Sequence, residues 1–293
     1  MCLAHLRDKK MVYSASDIAA STSLQFLAYR CAAMATFWTY DYACSFEEEW
    51  KFLRRSRWNK VKGLYTIARY VPFCLITTDL YLNFAPNENP DKCRKLINIY
   101  SCFSLISIIS SECIFVFRTY ALWNNNRFVL AAMVSASVAT IIASISIEFT
   151  TITTSYVLIS TIPGITGCYR SSSGVPFFMP FLLLFVFELG LVSLTLIRTI
   201  QSWRSDNGPL YTVLVKHNIF YYACGLLLSA VNILMPVLFS DYAYHSFFED
   251  VQFFLLAILA TRMHLHLWHI DRNVHGSDAL VYVSDILLLD HAV

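Results

Sequence analysis

Apolar runs of about twenty residues, separated by short polar stretches, recur along the whole chain. The runs are continuous. Strands of a membrane barrel would instead alternate apolar and polar positions over about 10 residues. The pattern predicts seven helices: Leu24–Cys44, Gly63–Phe84, Leu96–Tyr120, Phe128–Phe149, Val175–Ile200, His217–Phe239 and Ser246–Leu267. At 1.5 Å per residue, about 20 residues cross a hydrocarbon layer of roughly 30 Å. The expected fold class is therefore all-α, a polytopic bundle of seven transmembrane helices. It forms one domain, residues 1–270, followed by a cytoplasmic or interfacial tail, 271–293. The first helix is the weakest, because Arg30 interrupts it and Thr36, Thr39 and Tyr40 dilute it. Pro72 lies inside the second, where neighbouring groups can satisfy the freed carbonyl. A polar loop, Ser45–Lys62, joins these two helices, and a Thr/Ser-rich loop, Thr150–Gly174, follows the fourth.

Composition points the same way. Hydrophobic residues make up 57% of the chain and charged residues 14%, and the mean hydropathy is +0.52. A soluble domain is nearer about 45–50% apolar and about 25% charged. A net charge of +2 supplies no basic field for nucleic acid. Residues Met1–Ala20 hold several charges and no apolar core, so the first apolar segment is expected to stay in the mature protein rather than leave as a signal peptide. No strong internal repeat suggests an inverted-repeat transporter.

Lys and Arg prefer cytoplasmic loops. With seven spans, one set of loops holds thirteen of them and the other seven, which favours the N-terminus outside and the C-terminus inside. The basic cluster Arg7–Lys10 runs against this assignment. Under it, Cys93 and Cys168 are the two cysteines in outer loops, where a pair is free to oxidise. A bridge would pin the long fourth loop to the start of helix three. Without one, the two are free thiols.

The early segment Tyr40-Asp41-Tyr42, with the acidic stretch after it, Arg57-Trp58 and Arg69-Tyr70-Val71-Pro72, resembles the signature of the domain-of-unknown-function family DUF6533. That family is an expanded group of fungal, basidiomycete membrane proteins. Later blocks are similar to it as well: Glu112 with Phe117-Arg118-Thr119-Tyr120-Ala121-Leu122-Trp123, Glu188 with Leu194-Thr195-Leu196-Ile197, and Leu265-His266-Leu267-Trp268. The resemblance runs from about residue 24 to 269. It departs where members carry a second Trp before the one matching Trp58; Arg54 and Arg55 stand there. The resemblance implies a multi-span membrane protein and no established activity.

Ionisable groups inside spans cost about 2.5–3.5 kcal/mol on insertion scales and are functional suspects. They are Arg30, Arg69, Asp79, Glu112, Glu148 and Glu188. Glu112, Glu188 and Asp79, with Asn232, are expected either to line a ligand or ion pathway or to hydrogen-bond neighbouring helices and specify packing. Asp41 and Arg69 are expected to pair and hold the first helical hairpin together. Arg55, Arg57 and Trp58 in the basic loop 51–62 suit anionic headgroups or a docked protein. Arg118 and Tyr120 look superficially like the Arg-Tyr element of G-protein-coupled receptors, with Phe117 where an acid would precede. The alternative is that Arg118 snorkels to headgroups and Tyr120 joins an aromatic belt. His264, His266, His269 and His275 cluster at the end of helix seven without a completing carboxylate or Cys, so no metal site is expected.

No phosphate loop, dinucleotide motif, nucleophile elbow or zinc-protease motif occurs, and neither an enzyme activity nor a cofactor is expected. The leading functional expectation is a receptor-like seven-helix sensor in the plasma membrane or another secretory-pathway membrane. Its partners would be the lipid bilayer, a small-molecule ligand bound among helices three, five and six, and a cytoplasmic protein. The alternatives are a small transporter or channel using the intramembrane carboxylates, and a scaffold docking partners through the basic loop.

Overall fold

The computed structural model describes residues 15–56, 58–84, 89–123, 126–159, 168–172, 178–203, 209–238 and 248–269. Seven helices occur among them: α1 (Ala15–Arg55), α2 (Lys60–Phe84), α3 (Pro90–Leu122), α4 (Arg127–Thr154), α5 (Met179–Trp203), α6 (Pro209–Leu238) and α7 (Phe248–His269). The all-helical class expected from the hydropathy pattern is the class observed. Between α4 and α5 lies an antiparallel pair, β1 (Ser155–Ile159) and β2 (Cys168–Ser172), with Val157 opposite Arg170. This pair falls where the sequence suggested only a Thr/Ser-rich loop. Five residues a side is too short for the pattern to separate from irregular chain.

Several boundaries differ from expectation, among them the starts of α1, at Ala15, and of α6, at Pro209. The polar loop Ser45–Lys62 is mostly helix, because α1 continues through the acidic run to Arg55. Ser45 Oγ bonds back to the carbonyl of Asp41 at 2.9 Å, and Glu47 takes an i,i+4 bond from Lys51 that holds its carboxyl below the usual range. Another is the start of α3, which follows the end of α2 at Phe84 after a short connection. There the helix begins six residues earlier than the apolar run, because Asn89 caps it and Pro90 fits its first turn; the Asn89 side chain accepts from the Asp91 amide.

The turn between α1 and α2 has a built stop. Lys62 is buried, and its ammonium donates to the carbonyls of Leu53 and Ser56 at 2.7 and 2.8 Å. These are end-of-helix carbonyls with no intrahelical partner, and a cation there also complements the helix dipole. Lys62, expected within a basic loop that suits anionic headgroups or a docked protein, is instead a helix cap.

α7 is the inner helix. Of its apolar window 61% is buried, against 6% for α4. The largest core cluster joins Phe115 of α3, Leu184 and Phe187 of α5, Tyr222 of α6 and Leu256 and Met263 of α7. A second joins Trp38 of α1, Leu75 of α2 and Phe254 of α7.

Five helices, α3 to α7, are long and apolar enough to cross a membrane. α1 and α2 fall below that measure, being diluted by charged and polar residues. Arg30, Asp41, Glu49, Arg69 and Asp79 are all buried in the bundle, however, while Tyr29, Phe37, Tyr40, Ile67 and Tyr81 point outward. Averaging along the chain counts the inward charges against the helix and misses the apolar outer face.

Candidate functional site

Helix alternation divides the bundle into two halves. One holds the starts of α1, α3, α5 and α7 and the ends of α2, α4 and α6. A cavity of about 200 Å³ lies in this half, lined from six helices: α1, α2, α3, α4, α5 and α7.

One wall of the cavity is an ionic cluster. Arg30 donates from Nη2 to Asp79 at 3.2 Å and pairs through Nη1 with Asp250 at 2.6 Å. Asn83, one turn beyond Asp79, donates to its Oδ1 at 2.8 Å. Tyr100 of α3 donates its hydroxyl to Asp250. Arg30, in the weakest helix, is thus neutralised by helices α2 and α7, which is the usual condition for a buried charge.

Glu112 sits further along the same cavity on α3. It is 5% exposed, and neither carboxyl oxygen has a hydrogen-bond partner among the described residues. Such a group is an exception that calls for an explanation. Thr140, Ser144 and Glu148 of α4 also line the cavity, as do Phe181, Phe187 and Phe253.

Glu188 and Asn232 do not line the cavity. Ser229 donates to Glu188 at 2.7 Å, Gln252 donates to Ser229 at 2.6 Å, and Asn232 donates to Gln252 at 2.6 Å. This chain ties α5, α6 and α7 together. α6 approaches closely here: a Cβ on Gly225 would sit 3.0 Å from Glu188 Oε1 and 3.2 Å from Leu256. The expected pathway set therefore separates, with Glu112 and Asp79 on the cavity and Glu188 and Asn232 in an interhelix network.

The other half of the bundle holds a second ionic cluster. Arg69 donates to Asp41 at 2.6 Å and pairs with Glu49, while Ser45 donates to Glu49 at 2.7 Å. Its guanidinium lies over the Trp38 and Tyr42 rings at 5.1 and 5.4 Å. Arg262 of α7 reaches Asp41 at 2.9 Å. The Asp41–Arg69 pair is the one expected; Glu49 and Arg262 are additions that their sequence positions did not suggest.

Arg118 does not reach outward. It is half-buried and meets Nδ1 of His264, whose ring packs on Phe52 at 5.2 Å and Tyr65 at 5.5 Å. Tyr120 packs against the main core instead of standing in an outer belt. Trp58 and Arg55 are exposed, while Arg57 and His275 lie outside the described residues. Among the described residues no group of three His, Cys, Asp or Glu is placed to hold a metal. Cys93 is buried and disulfide-bonded; Cys168 opens β2, and its side chain lies outside the described residues.

The residues missed from sequence, Asp250, Tyr100, Gln252 and Arg262, share one signal. Each is a polar side chain within an apolar run of the sequence. The family model of a family of unknown function (DUF6533) matches residues 29–74. That stretch carries Arg30, Asp41, Glu49 and Arg69 of the two ionic clusters, while Asp79 and Asn83 of α2 lie beyond it. No curated protein and no solved structure matches the chain.

Proposed function

We propose that the chain is a seven-span integral membrane protein acting as a receptor-like sensor, with its N-terminus outside and its C-terminus inside. One observation carries this reading. α7 presents Asp250 and Phe253 to the cavity and Arg262 and His264 to contacts in the opposite half. From Asp250 to Arg262 the helix advances roughly 18 Å. A ligand that alters the Arg30–Asp250 contact acts directly on the element that holds Asp41 and Arg118.

The apolar outer faces of α1 and α2 support their counting as spans, and the Lys/Arg distribution supports the sidedness. With the N-terminus outside, the cavity lies in the outer half. The family match favours a fungal membrane protein, in the plasma membrane or another secretory-pathway membrane. Arg54, Arg55 and Trp58 then stand on the inner surface as the place for headgroups or a cytoplasmic protein. A bridge from Cys93 to Cys168 belongs to the same picture: Cys31, Cys44, Cys74, Cys102, Cys113 and Cys224 are free, and β2 packs against α3.

The acidic cavity wall also favours a second reading, a cation transporter. The ion-paired Asp41–Arg69–Glu49–Arg262 layer lies in the far half and weighs against an open pore. The two readings separate in one experiment. A fluorophore attached at position 56, in the turn between α1 and α2, reports on the inner end. A compound that binds the cavity changes its emission if the protein is a sensor. Flux of that compound into proteoliposomes, abolished by Glu112→Gln, establishes the transporter reading instead.

A further inference from the structure

We infer that the cavity binds a small organic cation, an amine whose ammonium rests on the Glu112 carboxylate. The inference builds on the small-molecule site proposed above and names the chemistry of its ligand.

Glu112 is the first ground. It lines the cavity, and both its carboxyl oxygens are buried without a hydrogen-bond partner among the described residues. A buried carboxyl without partners is costly to hold. An ammonium brings N–H donors and an opposite charge to both oxygens, and such charge-assisted bonds are about twice as strong as neutral ones. A neutral ligand lacks the charge, and an anion meets repulsion.

The balance of charge around the cavity is the second. Its wall carries the acidic residues Asp79, Glu112, Glu148, Glu249 and Asp250 against one guanidinium, that of Arg30. Arg30 is already committed to Asp79 and Asp250. The field inside the cavity therefore favours a cation whatever else these carboxyls touch.

Shape is the third. The space, about 200 Å³, lies at or below the small end of ligand pockets, roughly 300–1,000 Å³. It admits a single ring with a short chain and excludes a peptide. Phe181, Phe187 and Phe253 line it, providing an apolar seat for the body of the ligand and π-faces for a cation. Ser104, Thr140 and Ser144 add hydroxyls for any further polar group.

The test uses the purified full chain in nanodiscs and follows thermal unfolding. Phenethylamine is compared with two near-isosteres, neutral 2-phenylethanol and anionic 3-phenylpropanoate. The expected result is a saturable rise in midpoint with phenethylamine alone. Glu112→Gln weakens that binding at least tenfold, whereas Glu48→Gln, which alters an exposed carboxyl in the other half of the bundle, leaves it within twofold. Glu112→Asp keeps the charge on a shorter arm; it weakens binding but retains the preference for the amine, and it serves if the Gln variant does not fold. An equal shift from the alcohol or the acid overturns the cation assignment and leaves a small-molecule site standing. So does amine binding that Glu112→Gln or Glu112→Asp leaves unchanged. If phenethylamine and a broad set of small neutral and charged compounds all fail to shift the midpoint, the ligand-site reading falls as well.

Discussion

Arg30, Arg69 and Glu112 are buried ionisable residues with different surroundings, and their substitutions are expected to behave differently. Arg69 has two carboxylates, a serine hydroxyl and two aromatic faces around it. Arg69→Ala leaves Asp41 and Glu49 buried and partly unpaired, a change that costs about 3–5 kcal/mol when a buried pair is broken. Thermal or denaturant unfolding of the purified variant measures this. Arg262→Ala should cost less, because its side chain is 35% exposed and Asp41 keeps Arg69. Glu112→Gln is expected to change stability by no more than about 1 kcal/mol, since no hydrogen bond to a described residue is lost. A loss as large as that of Arg69→Ala would mean that Glu112 is a structural partner and would remove it from the site.

The elements carry a less intuitive expectation. Arg30→Leu makes α1 more apolar and a better span by any hydropathy measure, yet it strands Asp79 and Asp250 in the interior. Unfolding should show a loss of several kcal/mol, by the same cost of breaking a buried pair; a gain would mean that α1 is held by lipid contact and not by its ion pairs. Two glycines separate an open helix face from a helix interface. Gly190 on α5 has nothing near its absent Cβ, so Gly190→Ala should stabilise by about 0.5–1 kcal/mol through backbone entropy. Gly225 on α6 faces Glu188 and Leu256, and Gly225→Leu must push α6 away from α5 and α7, at a cost of about 1–3 kcal/mol or more. Peptide mapping without reductant addresses the hairpin: a Cys93–Cys168 crosslinked peptide is expected, and a different partner for Cys93 would detach β2 from α3.

At the scale of the whole molecule, the sequence made the helices legible because their apolar runs are long, and it made Asp41–Arg69 legible because the two residues lie on consecutive helices. It could not display Arg30–Asp250 or Asp41–Arg262, whose members are some 220 positions apart and meet only once α7 is packed inside the bundle. For the same reason Glu112 and Glu188 looked like one set: both are carboxyls near mid-helix, and only packing assigns one to the cavity and the other to Ser229. The extension of α1 through its acidic run was hidden by polarity, which reads as loop when the inward face is unknown. The proposed arrangement is seven helices in the membrane with their charges turned inward, an acidic cavity in the outer half and an ion-paired layer in the inner half. The most direct test of that arrangement is a cysteine-accessibility map. Single cysteines at positions 14, 56, 205 and 277, in a background without accessible native thiols, are labelled on intact cells and again after permeabilisation. Label at 14 from outside, with 56, 205 and 277 reached only after permeabilisation, is the predicted result. Label at 14 and 277 from the same side would give an even number of spans and contradict it.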